Sequence, residues 1–258
     1  MEKKLKLALV QSPLIWEDPC ANRIMFDGKL DSISADVDLI VLPEMFTTGF
    51  TMSPQSIDIE EGQKTVAWMK QKAKDMEAAL MGSIVFYENG TYSNRIFFIE
   101  PDGKTSTYDK RHTFTLSGED KAYKAGAKRL IIDYKDFRIC PMICYDLRFP
   151  VWVRYAEDYD VLIFVANWPK PRIAAWDTLL KARAIENMAY CIGVNRIGTD
   201  EEGHEYSGNS GVYDCLGSQI AFSREEEIIY ASLSKNHITA TREKLKFLED
   251  RDSFTLKG

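Results

Sequence analysis

The chain has 258 residues, of which 45% are apolar and 28% charged, a balance that predicts an ordinary globular protein with one large domain. The formal net charge of −6 argues against nucleic acid or an anionic membrane as a partner. The five cysteines are irregularly spaced and the three histidines are not paired at ligand spacing, which argues against a disulfide framework and a zinc site.

The first eleven residues, MEKKLKLALVQ, contain an apolar run that is too short for the core of a signal peptide. No stretch of the chain approaches the ~20 apolar residues of a membrane-spanning helix. We therefore expect a cytoplasmic protein whose cysteines are reduced.

Strands and helices are predicted to alternate in the first third of the chain, with strands at Leu5–Gln11 and Asp38–Leu42. The spacing of Ile24, Leu30 and Ile33 indicates a helix between these strands. Apolar residues recur at three- and four-residue intervals over Gly62–Ala79, with lysines opposite them, which predicts an amphipathic helix.

The middle of the chain is rich in predicted strands. Apolar runs flank short polar turns at 80–87 and 93–100 and again at 130–134 and 137–143, so hairpins are predicted. Val161–Ala166 is continuously apolar, as expected of a strand covered on both faces. The last predicted elements are a helix at 174–189, strands at 190–195, 211–222 and 227–233, and a helix at 238–248. We conclude that residues 1–258 form a single α/β domain with two helix-covered sheets, a core at about 5–233, and a C-terminal helix and tail at 236–258.

Three chemically reactive residues follow predicted strands. The strings LPEMF (42–46), YDKRHTF (108–114) and MICYDLRFP (142–150) contain Glu44, Lys110 and Cys144. Catalytic groups gather at strand ends because those positions are rigid and still face a crevice. A carboxylate, an ammonium and a thiol are the groups that hydrolysis of an amide through a thioester needs.

Cys144 is predicted to lie where a strand runs into a turn and a helix, which exposes the thiol and aims the backbone N–H of Tyr145 at a bound group. The alternative is a buried structural thiol. Glu44 follows five apolar residues and Pro43, so a partly desolvated carboxylate suited to act as a general base is predicted. A solvated loop acid or a helix N-cap is the alternative for Glu44.

Lys110 near a thiol would lower the pKa of that thiol, and near a carbonyl it would stabilise an oxyanion. The alternative is a surface lysine beside Arg111. Glu119 lies in SGEDKAYKAG, where Asp120 and Lys121 are also consistent with a polar loop.

The strings LPEMFTTGF, KRHTF, CYDLRFPVW, ANWPKPR and KARAIEN together resemble the nitrilase superfamily of carbon–nitrogen hydrolases, and within it the bacterial branch similar to omega-amidases. The resemblance extends from about Leu5 to Leu233. It implies a four-layer α-β-β-α sandwich that pairs through helices, and hence a homodimer or a higher homo-oligomer. The tail, with Phe254 and Leu256, is compatible with disorder or with docking on a neighbouring subunit.

The resemblance also implies roles for the candidate residues. Glu44 matches the general base, Lys110 the oxyanion-stabilising lysine and Cys144 the nucleophile. Glu119 matches the second glutamate of the family, which positions the substrate and supports the lysine. No metal, nucleotide or organic cofactor is implied.

The residues after the cysteine narrow the predicted substrate class. Nitrilases commonly have Trp-Glu at this point, whereas this chain has Tyr145-Asp146, which favours amides over nitriles. Leu147 and Phe149 replace the Arg and Trp that are typical of carbamoyl-amino-acid hydrolases. The resemblance to omega-amidases implies hydrolysis of the terminal amide of a short 2-oxo-dicarboxylate monoamide, such as 2-oxoglutaramate.

A substrate of this class needs a cation for its carboxylate and an apolar wall. Arg148 and Arg172 are the candidate cations, since a guanidinium holds a carboxylate bidentately. Phe46, Phe50 and Trp168 are the candidate walls. The alternatives are that Arg148 pairs with Asp146, that Arg172 is solvated and that the aromatic residues belong to the core.

Two other functions compete with this interpretation. One is an enzyme for a different small amide or an N-carbamoyl compound. The other is a catalytically idle relative that serves as an interaction module. We disfavour the idle relative because Glu44, Lys110 and Cys144 are all present.

Overall fold

The computed structural model describes residues 2–33 and 36–255, which form fourteen strands and six helices. The strands are β1 (Lys4–Gln11), β2 (Leu39–Val41), β3 (Ala79–Glu88), β4 (Thr91–Ile99), β5 (Thr105–Asp109), β6 (Ile132–Tyr134), β7 (Phe137–Ile143), β8 (Val161–Ala166), β9 (Tyr190–Asn195), β10 (Ile197–Thr199), β11 (Glu205–Ser207), β12 (Ser210–Tyr213), β13 (Gln219–Ser223) and β14 (Glu227–Ser234). The helices are α1 (Pro19–Asp31), α2 (Glu61–Asp75), α3 (Glu119–Ala122), α4 (Pro150–Val153), α5 (Ile173–Asn187) and α6 (Lys235–Leu245).

Twelve of the strands form two six-stranded sheets. The first sheet has the strand order β14-β1-β2-β3-β4-β5, and the second has the order β13-β12-β9-β8-β7-β6. The neighbours β1, β2 and β3 are parallel, as are β7, β8 and β9, while the outer strands pair antiparallel. β10 and β11 form a separate two-stranded hairpin.

The alternation of side chains along β1 separates two apolar layers. Leu5, Leu7 and Leu9 belong to a core cluster that continues into the second sheet, whereas Ala8 and Val10 belong to a cluster that includes buried residues of α1 and α2. Successive residues of a strand point to opposite faces, so the first sheet separates α1 and α2 from the second sheet.

The other helical layer is formed by α5, which covers the second sheet. Trp176 and Leu180 of α5 lie so close to Gly193 of β9 that a Cβ atom there would be 2.5 and 2.4 Å from their side chains. Gly193 therefore allows the close approach of this helix to the sheet. The order helix, sheet, sheet, helix confirms the predicted four-layer α-β-β-α sandwich.

Two helix predictions differ from the structure in their limits and their buried face. The predicted helix at Gly62–Ala79 ends at Asp75, and Ala79 begins β3, because the chain must turn before it can join the sheet. In α1, Leu30 is fully buried, as the apolar spacing predicted, but Ile24 is 66% exposed and Phe26 is buried instead, so the spacing identified the helix and part of its inner face.

The C-terminal third also differs in detail. The predicted strand at 211–222 is interrupted by a turn at 214–218 and forms the two strands β12 and β13. The last helix begins at Lys235 because the Ser234 hydroxyl accepts from the N–H of His237 and caps it, and it ends at Leu245. Of the tail, Phe254 is 41% exposed, and Leu256 lies outside the described residues.

Three strands end next to the residues predicted to be reactive. β2 is followed by Leu42, Pro43 and Glu44, β5 is followed directly by Lys110, and β7 is followed directly by Cys144. None of the helices in the described ranges is long and apolar enough to cross a membrane.

Candidate active site

Cys144 occupies a strained turn at the end of β7. Its φ angle is +41°, in the left-handed region that non-glycine residues rarely adopt, and it begins a 3-10 turn that continues to Arg148. Strained backbone of this kind costs about 1–3 kcal/mol and is concentrated at functional sites. The side chain is 8% exposed and lines a cavity. The turn thus presents the thiol to the cavity.

Glu44 is fully buried, so neither a solvated loop acid nor an exposed cap describes it. Its Oε1 accepts from Lys110 Nζ at 2.8 Å and from Asn94 Nδ2 at 2.8 Å. Its Oε2 accepts from the backbone N–H of Asn167 at 2.8 Å. These three donors hold the carboxylate in one orientation.

Lys110 is 1% exposed and lies between two carboxylates, so the alternative of a surface lysine is wrong. Besides Glu44, its Nζ contacts Glu119 Oε2 at 2.8 Å and Oε1 at 3.0 Å. Glu119 is fully buried and also accepts from the N–H of Phe114 at 2.6 Å, so it is not part of a solvated polar loop. The structure therefore brings the three predicted charged residues into one buried cluster.

The charges of this cluster change the protonation of its members. Burial by itself lowers the pKa of Lys110, but the Glu119 and Glu44 carboxylates outweigh burial and raise that pKa above its ordinary value. Burial and the charge of Glu44 together raise the pKa of Glu119 above its ordinary value, although Lys110 opposes them. The lysine accordingly remains an ammonium.

The charge of Lys110 lowers the pKa of the Cys144 thiol, as expected, but two opposing effects outweigh it. Burial raises the pKa of Cys144 well above its ordinary value, the charge of Glu44 raises it further, and Lys110 only partly offsets them. The net shift of the pKa is upward because desolvation and the Glu44 carboxylate together exceed the effect of the cation. In this environment the sulfur keeps its proton at neutral pH, so a base must remove it during attack.

Two asparagines complete the cluster. Asn94 of β4 donates from Nδ2 to Glu44 at 2.8 Å and to Glu119 at 3.2 Å. Asn167, which follows β8, binds Glu44 through its backbone N–H and donates from Nδ2 to the Glu44 carbonyl oxygen at 2.7 Å. Asn167 lies in the ANWP string that supported the family resemblance, whereas Asn94 lies in a predicted strand where no sequence signal marked it.

A cavity of about 410 Å³ opens above Cys144. Six of the other predicted residues line it, namely Phe50, Lys110, Tyr145, Arg148, Trp168 and Arg172. The β10–β11 hairpin contributes lining residues that the sequence analysis missed, among them Asp200, His204 and Tyr206. The hairpin strands are three residues long, which is too short for a pattern of alternation to reveal them.

Phe46 was predicted as a pocket wall, and this prediction is wrong. Its side chain is fully buried beneath α1 and α2, where its ring lies 5.4 Å from Phe26 and 5.9 Å from Trp68. Only Met45 separates it from Glu44, and the chain turns between them, so Phe46 reaches the helical layer while Glu44 reaches the cavity side. The residue is part of the core.

Both candidate arginines lie against aromatic rings in the cavity. The guanidinium of Arg148 is 4.8 Å from the ring centre of Trp168, and that of Arg172 is 5.3 Å from the ring centre of Phe114. Arg148 is half-buried and Arg172 is exposed. Within residues 2–33 and 36–255, neither arginine has a carboxylate oxygen within 4.0 Å. The suggested pairing of Arg148 with Asp146 is absent because Asp146 is fully buried and bound to other donors.

The remaining cysteines lie outside the cavity lining. All five are free thiols; Cys20 is exposed on α1, and Cys140, Cys191 and Cys215 are buried. In the part of the chain that is described, no group of three or more His, Cys, Asp or Glu residues is placed to hold a metal ion.

Comparison with known proteins assigns the chain to a family. The carbon-nitrogen hydrolase family model matches residues 6–243. Omega-amidase YafV of Escherichia coli (strain K12) is 43% identical over 254 residues, which cover 98% of each chain. The 2-oxoglutaramate amidase of Bacillus subtilis (strain 168) is 29% identical, over 96% of this chain and 97% of that protein.

A solved structure agrees with this assignment. XC1258 from Xanthomonas campestris, described as a CN-hydrolase superfamily protein with an arsenic adduct in the active site, superposes with a TM-score of 0.95. It is 38% identical, and the match covers 98% of this chain and 99% of that one. The chain described here therefore belongs to the carbon-nitrogen hydrolase family.

Proposed function

We propose that this enzyme hydrolyses the terminal amide of a short 2-oxo-dicarboxylate monoamide, of the 2-oxoglutaramate or 2-oxosuccinamate type, to the acid and ammonia through a thioester on Cys144. The observation that carries the proposal is the buried Glu44–Lys110–Glu119 cluster beside a thiol that lines a cavity with two arginines. The relatives named as omega-amidase and 2-oxoglutaramate amidase support the choice of substrate.

The first half of the proposed reaction forms the thioester. Glu44 takes the proton of Cys144 as the sulfur attacks the amide carbon, which a thiol with a raised pKa requires. Lys110 and the backbone N–H of Tyr145 stabilise the negative charge that develops on the carbonyl oxygen. Glu44 then gives the proton to the departing nitrogen, so that ammonia leaves and the acyl group stays on the sulfur.

The second half releases the acid. Glu44 removes a proton from water as the water oxygen attacks the thioester carbon, and the same oxyanion donors act again. Collapse of this intermediate breaks the carbon–sulfur bond, and the proton held by Glu44 returns to Cys144. Each proton that leaves a nucleophile is thus delivered to a leaving group, and the enzyme returns to its starting state.

Glu119 holds the oxyanion donor rather than the reacting atoms. It binds Lys110 through both carboxylate oxygens and is itself fixed by Asn94 and by the N–H of Phe114. An ammonium has three N–H groups. In the structure these groups face one oxygen of Glu44 and both oxygens of Glu119, which fixes the orientation of the ammonium in the cavity lining. The oxyanion then takes the place of one Glu119 oxygen, while Glu44 and the other Glu119 oxygen hold the lysine.

Substrate selection follows from the cations and rings of the cavity. Arg148 is four residues after the nucleophile and half-buried, so we assign it the principal contact with the substrate carboxylate. Arg172 is exposed and acts as an auxiliary cation at the mouth. Phe50 and Trp168 bound the cavity on its apolar side.

We infer a cytoplasmic homodimer as the working form. A free nucleophilic thiol is preserved in a reducing compartment, which supports the cytoplasm. Ile185 of α5, Leu216 and Phe247 are large apolar residues that are 48%, 50% and 60% exposed, and they support pairing through the helical layer. Light scattering of the purified protein at micromolar concentration tests the dimer.

The substrate is tested by ammonia release from 2-oxoglutaramate, glutamine, a simple nitrile and an N-carbamoyl amino acid. We expect rapid turnover of the 2-oxo amide, none of the nitrile, and complete loss of turnover in Cys144→Ala. Cys20→Ala is the matched control, since that thiol is exposed and outside the cavity. Turnover of the carbamoyl compound alone would contradict the substrate assignment, and an active Cys144→Ala would contradict the mechanism.

A further inference from the structure

Asp146, two residues after the nucleophile, is a fully buried carboxylate that takes no part in the reaction proposed above. Its Oδ2 accepts from the Tyr108 hydroxyl at 2.8 Å and from the N–H of Ile143 at 3.0 Å. Its Oδ1 accepts from the N–H of His112 at 3.0 Å and lies 2.8 Å from His112 Nδ1. A carboxylate has about four acceptor positions, so all of them are used.

These contacts join the two segments that carry the reactive groups. Tyr108 belongs to β5, and His112 lies two residues beyond Lys110 in the loop that follows β5. Ile143 is the last residue of β7 and directly precedes Cys144. One side chain therefore ties the lysine segment to the nucleophile turn.

The direction of the hydrogen bond from Tyr108 is determined by its surroundings. The Tyr108 hydroxyl oxygen accepts from Trp152 Nε1 at 3.1 Å and from the N–H of Arg111 at 3.3 Å. Its one hydrogen is then left for Asp146, which only accepts. Burial and the charge of Asp146 raise the pKa of Tyr108 well above its ordinary value, so the hydroxyl keeps the hydrogen that it donates.

The hydrogen bond from the N–H of Ile143 to Asp146 lies next to the strained residue of the turn, Cys144. Strained residues persist only where the surrounding structure determines their conformation more than once. Cys144, at φ +41°, is bracketed by Ile143, whose N–H binds Asp146, and by Asp146 itself. Stacking of His112 on Phe149, with ring centres 3.7 Å apart and planes 4° from parallel, supports the same turn from its far end.

We propose that Asp146 is a positioning residue, which holds the thiol of Cys144 and the ammonium of Lys110 at the separation that the reaction needs. The inference rests on the roles given to those two residues under the proposed function. Asparagine has nearly the same shape, but its NH2 group cannot accept a hydrogen bond. Asp146→Asn therefore loses the contacts to Tyr108 and Ile143 or, with the amide in the other orientation, the contact to the N–H of His112.

The test is steady-state kinetics of Asp146→Asn and Tyr108→Phe on 2-oxoglutaramate, at a temperature where circular dichroism shows each variant to be folded. Tyr134→Phe is the control, because it also removes one tyrosine hydroxyl, which donates to the Asp38 carbonyl oxygen at 2.9 Å and lies outside the cavity lining. Misplacement of a reacting group by about 1 Å costs ~100-fold in rate. We expect kcat to fall roughly 10- to 100-fold in Asp146→Asn and about 3- to 10-fold in Tyr108→Phe, with KM changed less than about threefold.

The Tyr134→Phe control shows the result expected if Asp146 and Tyr108 contribute only to stability. A structural hydrogen bond would lower stability, as in Tyr134→Phe, and leave kcat of the folded enzyme at the wild-type value. A folded Asp146→Asn whose kcat is within twofold of the wild-type value overturns the proposal. If Asp146→Asn does not fold, a wild-type kcat in Tyr108→Phe overturns it. Cys144→Ala, measured in parallel, separates the proposed reaction from the positioning role of Asp146. An active Cys144→Ala would contradict the reaction mechanism. An inactive Cys144→Ala together with a fully active Asp146→Asn would contradict only the positioning role.

Discussion

Replacing Lys110 by methionine is expected to damage stability and turnover by separate physical routes. The Nζ atom lies 2.8 Å from a carboxylate oxygen of Glu44 and 2.8 Å from one of Glu119, and all three side chains are at most 1% exposed. Methionine fills the volume of the lysine stem but carries no charge. Lys110→Met thus leaves two buried carboxylates that face each other without a cation.

The magnitudes follow from the burial of the cluster. Removal of one partner from a buried ion pair costs about 3–5 kcal/mol of unfolding free energy, since the remaining charge is uncompensated. Loss of one oxyanion donor costs about 2.7–4 kcal/mol of transition-state stabilisation, or roughly 10²- to 10³-fold in kcat. We expect Lys110→Met to show both losses.

A second substitution separates the two routes. Glu119→Gln in the Lys110→Met background removes one of the two uncompensated charges, so we expect the double variant to recover more than half of the lost stability and none of the lost turnover. Urea unfolding followed by tryptophan fluorescence measures the first quantity, and ammonia release measures the second. Lys170→Met is the control, because that lysine is exposed and pairs with Glu205 away from the cluster.

Two results would refute this reasoning. If Lys110→Met were as stable as the wild type, the cluster would not be a desolvated ion triad. If its kcat stayed within tenfold of the wild-type value while the protein was folded, Lys110 would not be the oxyanion donor.

Other predictions concern the thiol, the arginines and a close backbone contact. The buried thiol of Cys144 keeps its proton, whereas the thiol of the unfolded chain loses it near pH 9.0, so above that pH the folded state binds more protons than the unfolded state. Between pH 8 and pH 10 the wild type should therefore lose about 1.4 kcal/mol more unfolding free energy than Cys144→Ala. Equal losses in urea titrations of the two proteins would contradict this. Arg148→Gln should raise KM for the 2-oxo amide about 10- to 100-fold, and Arg172→Gln less than about fivefold, with the reverse order in the kinetics counting against the assigned roles. Gly126→Ala places a Cβ atom 2.2 Å from the carbonyl oxygen of Asp109, the residue before Lys110. We expect the free energy of unfolding in urea to fall by about 1–3 kcal/mol and kcat to decrease. Wild-type values of both quantities would show that the loop moves to accept the methyl group without loss of stability.

The sequence predicted the architecture well where long apolar runs dominate. β8 is continuously apolar and buried, β7 is apolar except for Arg138, and the predicted ends of both strands agree with the structure, which places Cys144 beside the cavity. The charged cluster was anticipated because Glu44 and Lys110 also follow strands. Glu44 and Lys110 meet because β2 and β5 run in the same direction in the first sheet, so that both strands end at the same edge.

Other features depend on contacts that no local pattern records. Asn94 joins two carboxylates from inside a strand, where its neighbours Ser93 and Arg95 are also polar, so the sequence does not distinguish it. Phe46 is two residues from Glu44 but points into the helical layer, because the turn after β2 reverses the face on which side chains lie. The raised pKa of Cys144 depends on its burial and on the position of Glu44, which are both properties of the folded protein.

Trapping the acyl group on Cys144 would show whether amide hydrolysis proceeds through a thioester at that residue. The enzyme would be mixed with excess 2-oxoglutaramate, quenched with acid within milliseconds, and digested for peptide mass analysis. We expect an added mass equal to that of the substrate minus ammonia on the peptide that contains Cys144, and no such mass on the peptides that contain Cys20 or Cys191. Burst release of ammonia with an unmodified Cys144 peptide, or an acyl group on another residue, would contradict this expectation.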